Sequence, residues 1–224
     1  MVPFSVPYGN RQKKESFMNN INQKDDQAFY SISFDLTTAF DCPAELQEKY
    51  KEITHLLSSD AEKAISILIP LTEKYYDDPL FASYLADAYH ITKNELWPQT
   101  VKNNYQKFPH FLLIRCAYSE LCLEEERIED AAKTMNYTFE LTELYPEKSC
   151  FYVLEVILFN TILTKYFCAI GDFEQALLCI DTIEEIDNNF PNLENLETLV
   201  VCSIIAENIP QERLEKITSR QSKS

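Results

Sequence analysis

The residues best suited to catalysis or metal binding in this chain are seven cysteines and three histidines, His55, His90 and His110. No two cysteines form a CxxC pair, and the histidines lie 35 and 20 residues apart, so neither type has the spacing of a zinc site. A catalytic pair such as Cys116 with His90 would have to be assembled by the fold, and a cysteine in an apolar stretch is usually inert. We therefore expect no metal site.

Glycine is also too scarce for several common active sites. Only Gly9 and Gly171 occur in the 224 residues. A dinucleotide fingerprint needs three closely spaced glycines, whereas a phosphate-binding loop and a nucleophile elbow each need two. We therefore expect a protein that is not an enzyme and uses no cofactor.

The odd number of cysteines favours free thiols in a reducing compartment. Pro3, Pro7 and the basic residues in 11–14 interrupt any apolar core of a signal peptide behind Met1. These features predict a cytoplasmic location.

The clearest structural pattern lies in residues 164–191, which predict the end of one helix, a turn and a complete second helix. Gly171 suits the left-handed conformation that ends a helix, and Asp172 with Gln175 forms a capping-box-like start for the next. The second helix carries one apolar stripe, formed by Phe173, Ala176, Leu177, Ile180, Ile183 and Ile186. This stretch therefore predicts an antiparallel helical hairpin.

Four such units can be aligned on a small or helix-opening residue in each second helix, at Ala64, Pro98, Ala131 and Ala176. These positions are 34, 33 and 45 residues apart, and each second helix is followed by a proline. Over roughly residues 44–191 the pattern resembles the tetratricopeptide repeat family. The resemblance is carried by Leu85, Ala86, Tyr89, Tyr118, Ser119, Cys122, Ile128, Ala131, Leu163, Phe167, Gly171, Phe173, Ala176 and Pro191. Pro98 stands where the family has alanine, and the last copy is longer by about eleven residues.

The resemblance implies an all-α fold, a right-handed superhelical array of antiparallel helix hairpins; an irregular helical bundle is the alternative. We expect an N-terminal arm in residues 1–40, a repeat domain in 41–209, and a short C-terminal helix with a polar tail in 210–224. Within the domain, residues 127–145 are expected to form one helix.

The N-terminal arm contains an extended segment near residues 29–37. Tyr30, Ile32, Phe34 and Leu36 alternate with polar residues, as in a half-buried strand, and we expect no other strand to pair with it. It is interpreted either as a segment packed along the first hairpin or as a peptide-like segment in the groove of its own or a neighbouring array.

Residues 150–170 are the most apolar stretch, but Glu155, Asn160 and Lys165 interrupt it. A charge near the bilayer centre costs about 2.5–3.5 kcal/mol on insertion scales. We expect a buried core helix and no membrane insertion.

The net charge of −16 is concentrated in the body of the chain, because residues 1–40 are balanced and 216–224 carry only basic charges. Such a surface disfavours nucleic acid and favours a basic peptide or protein, although it also serves solubility alone. Asp77–Asp78 and Glu124–Glu126 are interpreted as solvated turn residues rather than as a metal site.

The resemblance implies a concave face lined by the first helix of each hairpin. Matched residue by residue, it predicts partner-binding positions at Leu80, Ser83, Asp87, His90, Cys116, Glu120, Leu158, Thr161 and Lys165. The expected function is a non-enzymatic adaptor or chaperone that holds a peptide or basic protein segment in this groove.

Two specialised versions of that function can be compared with the residues. The clamp that some relatives use for the acidic tails of heat-shock chaperones consists of lysines and asparagines. Only Lys165 fits it here, since the other matching positions are Ser83, Asp87 and Thr161. Acidic chaperones of bacterial secretion systems agree in size, charge and fold, without a shared residue motif. The alternative from another class is a structural assembly subunit that self-associates through residues 29–37.

Overall fold

The computed structural model describes residues 30–40 and 42–208. Helices account for 71% of these residues, and the extended structure among them is limited to two three-residue strands. The predicted all-α class is confirmed. The expected C-terminal helix after Pro210 and most of the N-terminal arm lie outside the described residues.

The elements follow one another with short connections. They are β1 (Ser31–Ser33), α1 (Leu36–Ala39), α2 (Gln47–Ser59), α3 (Ala61–Lys74), α4 (Pro79–Ile91), α5 (Trp97–Lys107), α6 (Leu112–Glu124), α7 (Ile128–Thr134), α8 (Leu141–Leu144), β2 (Cys150–Tyr152), α9 (Val153–Ile170), α10 (Phe173–Ile186) and α11 (Leu193–Asn208).

The longer helices pack against their sequence neighbours. Contacts join α2 to α3, α4 to α5, α6 to α7 and α9 to α10, and α11 packs on both α9 and α10. In addition, α2, α4, α6 and α9 contact one another in succession. A single hydrophobic cluster runs through these helices, from Ile32 to Val200.

The helix end at Gly171 and the helix start at Asp172, which the sequence predicts most directly, are confirmed. Gly171 ends α9 with a φ of +78°, and the Asp172 carboxylate accepts a hydrogen bond from the Gln175 amide at 3.2 Å. Asp78 opens α4 by accepting from the amides of Leu80 at 2.9 Å and Phe81 at 3.0 Å.

The expectation of one helix over residues 127–145 is wrong. The chain leaves the helical conformation after Thr134, where Asn136 and Tyr137 both take positive φ, and resumes it only in α8. The buried Arg115 guanidinium donates to the Thr134 carbonyl, so a side chain from α6 satisfies a carbonyl that the interrupted helix leaves free. The 45-residue spacing is thus accommodated between α7 and α9, by α8 and β2.

The expectation that the N-terminal strand has no partner is also wrong. β1 pairs in parallel with β2, with Ile32 opposite Phe151. The Ser31 amide donates to the Ser149 carbonyl at 2.9 Å, and the Tyr30 ring packs edge-on against Phe151. The side chains of Ile32 and Leu36 are buried. Residues 30–40 therefore lie against the start of α9.

α9 is the one helix of the described residues that is long and apolar enough to cross a membrane. Of this 18-residue helix, 67% is buried inside the fold, where it contacts α6, α10 and α11. Its apolar residues are used in contacts with other helices, as expected of a core helix.

Candidate functional site

Three helices bring five of the predicted or neighbouring polar side chains together. α4 supplies Asp87 and His90, α6 supplies Glu120 and Glu124, and α9 supplies Lys165. The Lys165 ammonium donates to the Glu120 carboxylate, and His90 Nε2 lies 3.9 Å from Glu124 Oε1. We call these five residues the acidic cluster, because three carboxylates outnumber one lysine and one histidine.

His90 is held in place by an aromatic neighbour. Its ring stacks on Trp97 of α5, with the ring centroids 4.4 Å apart and the planes inclined by 15°. One nitrogen of His90 and one oxygen each of Glu120 and Glu124 all lie within 4.8 Å of one another. Glu120 and Glu124 share a face of α6 because they are four residues apart. The cluster therefore presents three potential cation ligands from two helices.

Asp87 is the least compensated carboxylate of the cluster. It has neither a hydrogen bond nor an ion pair among the described residues, and burial followed by the charge of Glu120 raises its pKa to about 7. The pKa of Glu124 is raised for the same two reasons, while His90 and Lys165 oppose the shift. An additional positive charge near these carboxyl groups would stabilise their ionised forms and lower their pKa values again.

The other predicted partner-binding residues are mostly enclosed. Leu80, Ser83, Cys116 and Thr161 are buried, and Leu158 is partly buried. Burial raises the pKa of the Cys116 thiol, and nearby carboxylates including Glu155 add to the shift, which disfavours a reactive thiolate. Thr161 Oγ1 has no hydrogen-bond partner among the residues that the structure describes. The residues that remain accessible are thus Asp87, His90, Glu120, Leu158 and Lys165.

A second concave feature lies at the opposite, N-terminal end of α4. A recess of about 410 Å³ separates the segment around Phe40 from the connection between α3 and α4, and Leu80 contributes to its wall. Its lining is largely aromatic, from Phe40, Tyr50, Tyr75, Tyr76 and Phe111. The Tyr50 hydroxyl donates to Asp78, which also caps α4. Asp78, one of the two aspartates in the lining of this recess, therefore already has hydrogen-bond partners.

Sequence reasoning found most of the cluster but not its geometry. The repeat resemblance pointed to Asp87, His90, Glu120 and Lys165, whereas Glu124 was interpreted as a solvated turn residue. Glu124 is indeed half-exposed, but it faces His90. The signal that could have found it is its i,i+4 spacing from Glu120, which places both carboxylates on one face of α6.

Comparisons with known proteins add no identification. No family model matches the chain, and no curated protein or solved structure shows a significant match.

Proposed function

We propose that this protein is a non-enzymatic adaptor or chaperone that binds a basic peptide or protein segment along the faces of α4, α6 and α9. The observation that carries the proposal is the acidic cluster, where Asp87, Glu120 and Glu124 converge with too few positive charges to balance them. A lysine or arginine of a partner would supply the missing charge and the missing hydrogen-bond donors.

The packing order of the helices supports a repeat array of the tetratricopeptide type. In such an array the first helices of successive hairpins line one face, and each second helix packs behind its first helix. The succession α2, α4, α6 and α9, with α3, α5, α7 and α10 as their partners, is compatible with this order. On this proposal the acidic cluster lies on the inner face, at the C-terminal ends of its helices.

On this proposal, residues 30–40 cover part of the opposite end of the inner face. Phe40 lies against Phe111 at the start of α6 and Tyr152 at the start of α9, with ring centroids 5.5 Å and 5.8 Å apart. We propose that this segment limits the partner to the C-terminal ends of the inner helices, next to the acidic cluster.

The test uses fluorescence anisotropy with a labelled lysine- and arginine-rich peptide and, in parallel, a glutamate-rich peptide of equal length. We expect only the basic peptide to bind, and its affinity to fall as salt rises. The double variant Glu120→Gln/Glu124→Gln should weaken binding at least about tenfold, because it removes two of the three carboxylates.

The matched control is Glu184→Gln/Glu185→Gln, which makes the same charge change on the exposed face of α10. We expect it to change the affinity by less than about twofold, since screening limits the reach of surface charges to about 10 Å. Equal weakening by both double variants would mean that net charge alone attracts the peptide, and the proposed site would be rejected.

The second candidate function is a structural assembly subunit joined through residues 29–37. β1 already has a partner in its own chain, but exchange of a terminal segment between two copies would preserve the same contacts. Light scattering after size exclusion distinguishes the two functions. A stable oligomer that dissociates on replacement of the buried Ile32 by aspartate, with the monomer still folded, would favour assembly over peptide binding.

A further inference from the structure

We propose that His90, Glu120 and Glu124 form a binding site for a divalent transition-metal ion, with Zn²⁺ as the best match. This inference goes beyond the proposed peptide binding and does not depend on it. It concerns part of the same cluster, but the ligand is an inorganic cation and the test requires no peptide.

The geometry is close to that of a three-ligand metal site. The three candidate ligand atoms lie within 4.8 Å of one another, and His90 Nε2 and Glu124 Oε1 are 3.9 Å apart. Ligand atoms around a tetrahedral zinc ion are about 3.3 Å apart, given bond lengths near 2.0–2.2 Å. Side-chain movements of about an ångström in two glutamates and one histidine would therefore close the site without moving the helices.

The choice of ligands selects the class of ion. One imidazole with two carboxylates is an N/O donor set, which suits Zn²⁺ and its neighbours, whereas Mg²⁺ and Ca²⁺ prefer oxygen alone. Three protein ligands leave a fourth position for water, as in zinc sites that are open to a further ligand. About half of the Glu124 side chain is exposed, which provides a path for the ion from solvent.

The surrounding residues are placed to support such a site. Stacking on Trp97 fixes the plane of the His90 ring. Lys165 pairs with one oxygen of Glu120 and competes with a cation for that carboxylate, but the second carboxylate oxygen is available to bind the ion.

Trp97 is the only tryptophan in the chain and therefore reports directly on its neighbour His90. The experiment titrates the full-length chain with Zn²⁺ and with Co²⁺ in a thiol-free reductant, following tryptophan fluorescence and heat. We expect one ion per chain, a change in Trp97 emission, and much weaker binding of Mg²⁺ and Ca²⁺. The Co²⁺ spectrum should lack thiolate charge-transfer bands.

Variants assign the ion to these ligands. His90→Gln and Glu124→Gln should each weaken Zn²⁺ binding about 100-fold or more, because loss of a direct ligand exceeds the roughly 10- to 100-fold effect of supporting residues. His55→Gln and Glu174→Gln are the controls, since both positions are exposed, and they should leave the affinity unchanged. Binding that is unaffected by His90→Gln, or a Co²⁺ spectrum with thiolate bands, would reject the site in favour of the cysteines.

The same variants separate this inference from the proposed function. The Zn²⁺ titrations contain no peptide and the peptide titrations contain a metal chelator, so each affinity is measured by itself in every variant. Absence of Zn²⁺ binding to the wild type, with intact peptide binding, would reject the metal site alone.

Discussion

α9 carries an ion pair with a lysine at each end, and the two pairs differ in how completely they are balanced. At its start Glu155 pairs with Lys148, and near its end Lys165 pairs with Glu120. The Lys148–Glu155 pair connects the segment before α9 to the first turn of that helix, and the Lys165–Glu120 pair connects α9 to α6. We interpret the first pair as charge that stabilises the fold, and the second as part of a group whose remaining negative charge is available to a ligand.

The pair at the start of α9 is complete. Glu155 is 1% exposed, its two oxygens lie 2.6 Å and 2.7 Å from the Lys148 ammonium, and it accepts from the Tyr152 amide at 2.9 Å. The position is also favourable because a helix N-terminus stabilises a negative charge. Lys148 lies over the rings of Phe40 and Phe151, which hold its stem in the same enclosure. Nothing in this arrangement requires a further ion.

The pair near the end of α9 belongs to a group that is not balanced. Asp87 and Glu124 add two carboxylates to Glu120, near the C-terminal ends of α4 and α6, where helix dipoles disfavour negative charge. Carboxylates that crowd together with little compensating positive charge cost stability. This difference between the two ends of α9 is the reason why we propose a binding role for the acidic cluster.

The largest expected effect comes from breaking the complete pair. Lys148→Met should destabilise the protein by about 3–5 kcal/mol, because it leaves the buried Glu155 without its positive partner. Burial already raises the pKa of Glu155, and loss of Lys148 raises it further. The destabilisation should therefore increase as the pH rises and the carboxyl is forced to ionise. Urea denaturation measures the change.

Two variants check that the effect arises from burial. Lys49→Met removes the exposed partner of Glu52 and should cost less than about 1 kcal/mol. Adding Glu155→Gln to Lys148→Met removes the unpaired charge and should recover part of the lost stability. Equal costs for Lys148→Met and Lys49→Met would show that the start of α9 does not depend on its ion pair.

The second prediction concerns Asp87 at the other end of the comparison. Its folded pKa of about 7 lies above the ordinary value of 3.8, so the folded protein retains a proton that the unfolded chain loses. Stability is therefore lost progressively as the pH rises from about 4 to about 7. Asp87→Asn should remove this loss, with a gain of at most about 4 kcal/mol above pH 7 and almost none near pH 4.

The measurement is the free energy of unfolding at several pH values, for the wild type and the Asp87→Asn variant. Asp181→Asn, on the exposed side of α10, is the control and should give a pH-independent difference near zero. A gain that does not change with pH would mean that Asp87 ionises normally, and the acidic cluster would then resemble the balanced end of α9.

The parts of the fold that could be predicted from the sequence are those that local physical chemistry determines. Gly171 and Asp172 define the turn before α10 within a few residues, because a left-handed helix end and an N-cap depend only on the backbone nearby. The periodicity of apolar residues likewise predicted most of the helices, whereas four members of the acidic cluster were predicted only through the resemblance to the repeat family.

The features that were missed depend on contacts between distant residues. In the pairing of β1 with β2, Ser31 lies opposite Cys150, which is 150 − 31 = 119 positions away, and each three-residue strand is too short to indicate its partner. The break after Thr134 depends on Arg115 from another helix. Glu124 lies next to His90 because α4 and α6 pack against each other, and the sequence around Glu124 does not indicate this contact.

The smallest expected change in stability comes from Lys165→Met, which removes the positive partner of Glu120. The two side chains are 28% and 19% exposed, so water can still reach the remaining carboxylate, and we expect a loss of about 1 kcal/mol. Cation binding should respond in the opposite direction. Without the competing ammonium, the affinity for Zn²⁺ and for the basic peptide should rise about tenfold, which corresponds to about 1.4 kcal/mol. Lys133→Met makes the same charge change at an exposed lysine on α7 and should leave the stability and both affinities unchanged. Destabilisation of Lys165→Met by as much as Lys148→Met would contradict the comparison, because both ends of α9 would then use their charge for folding.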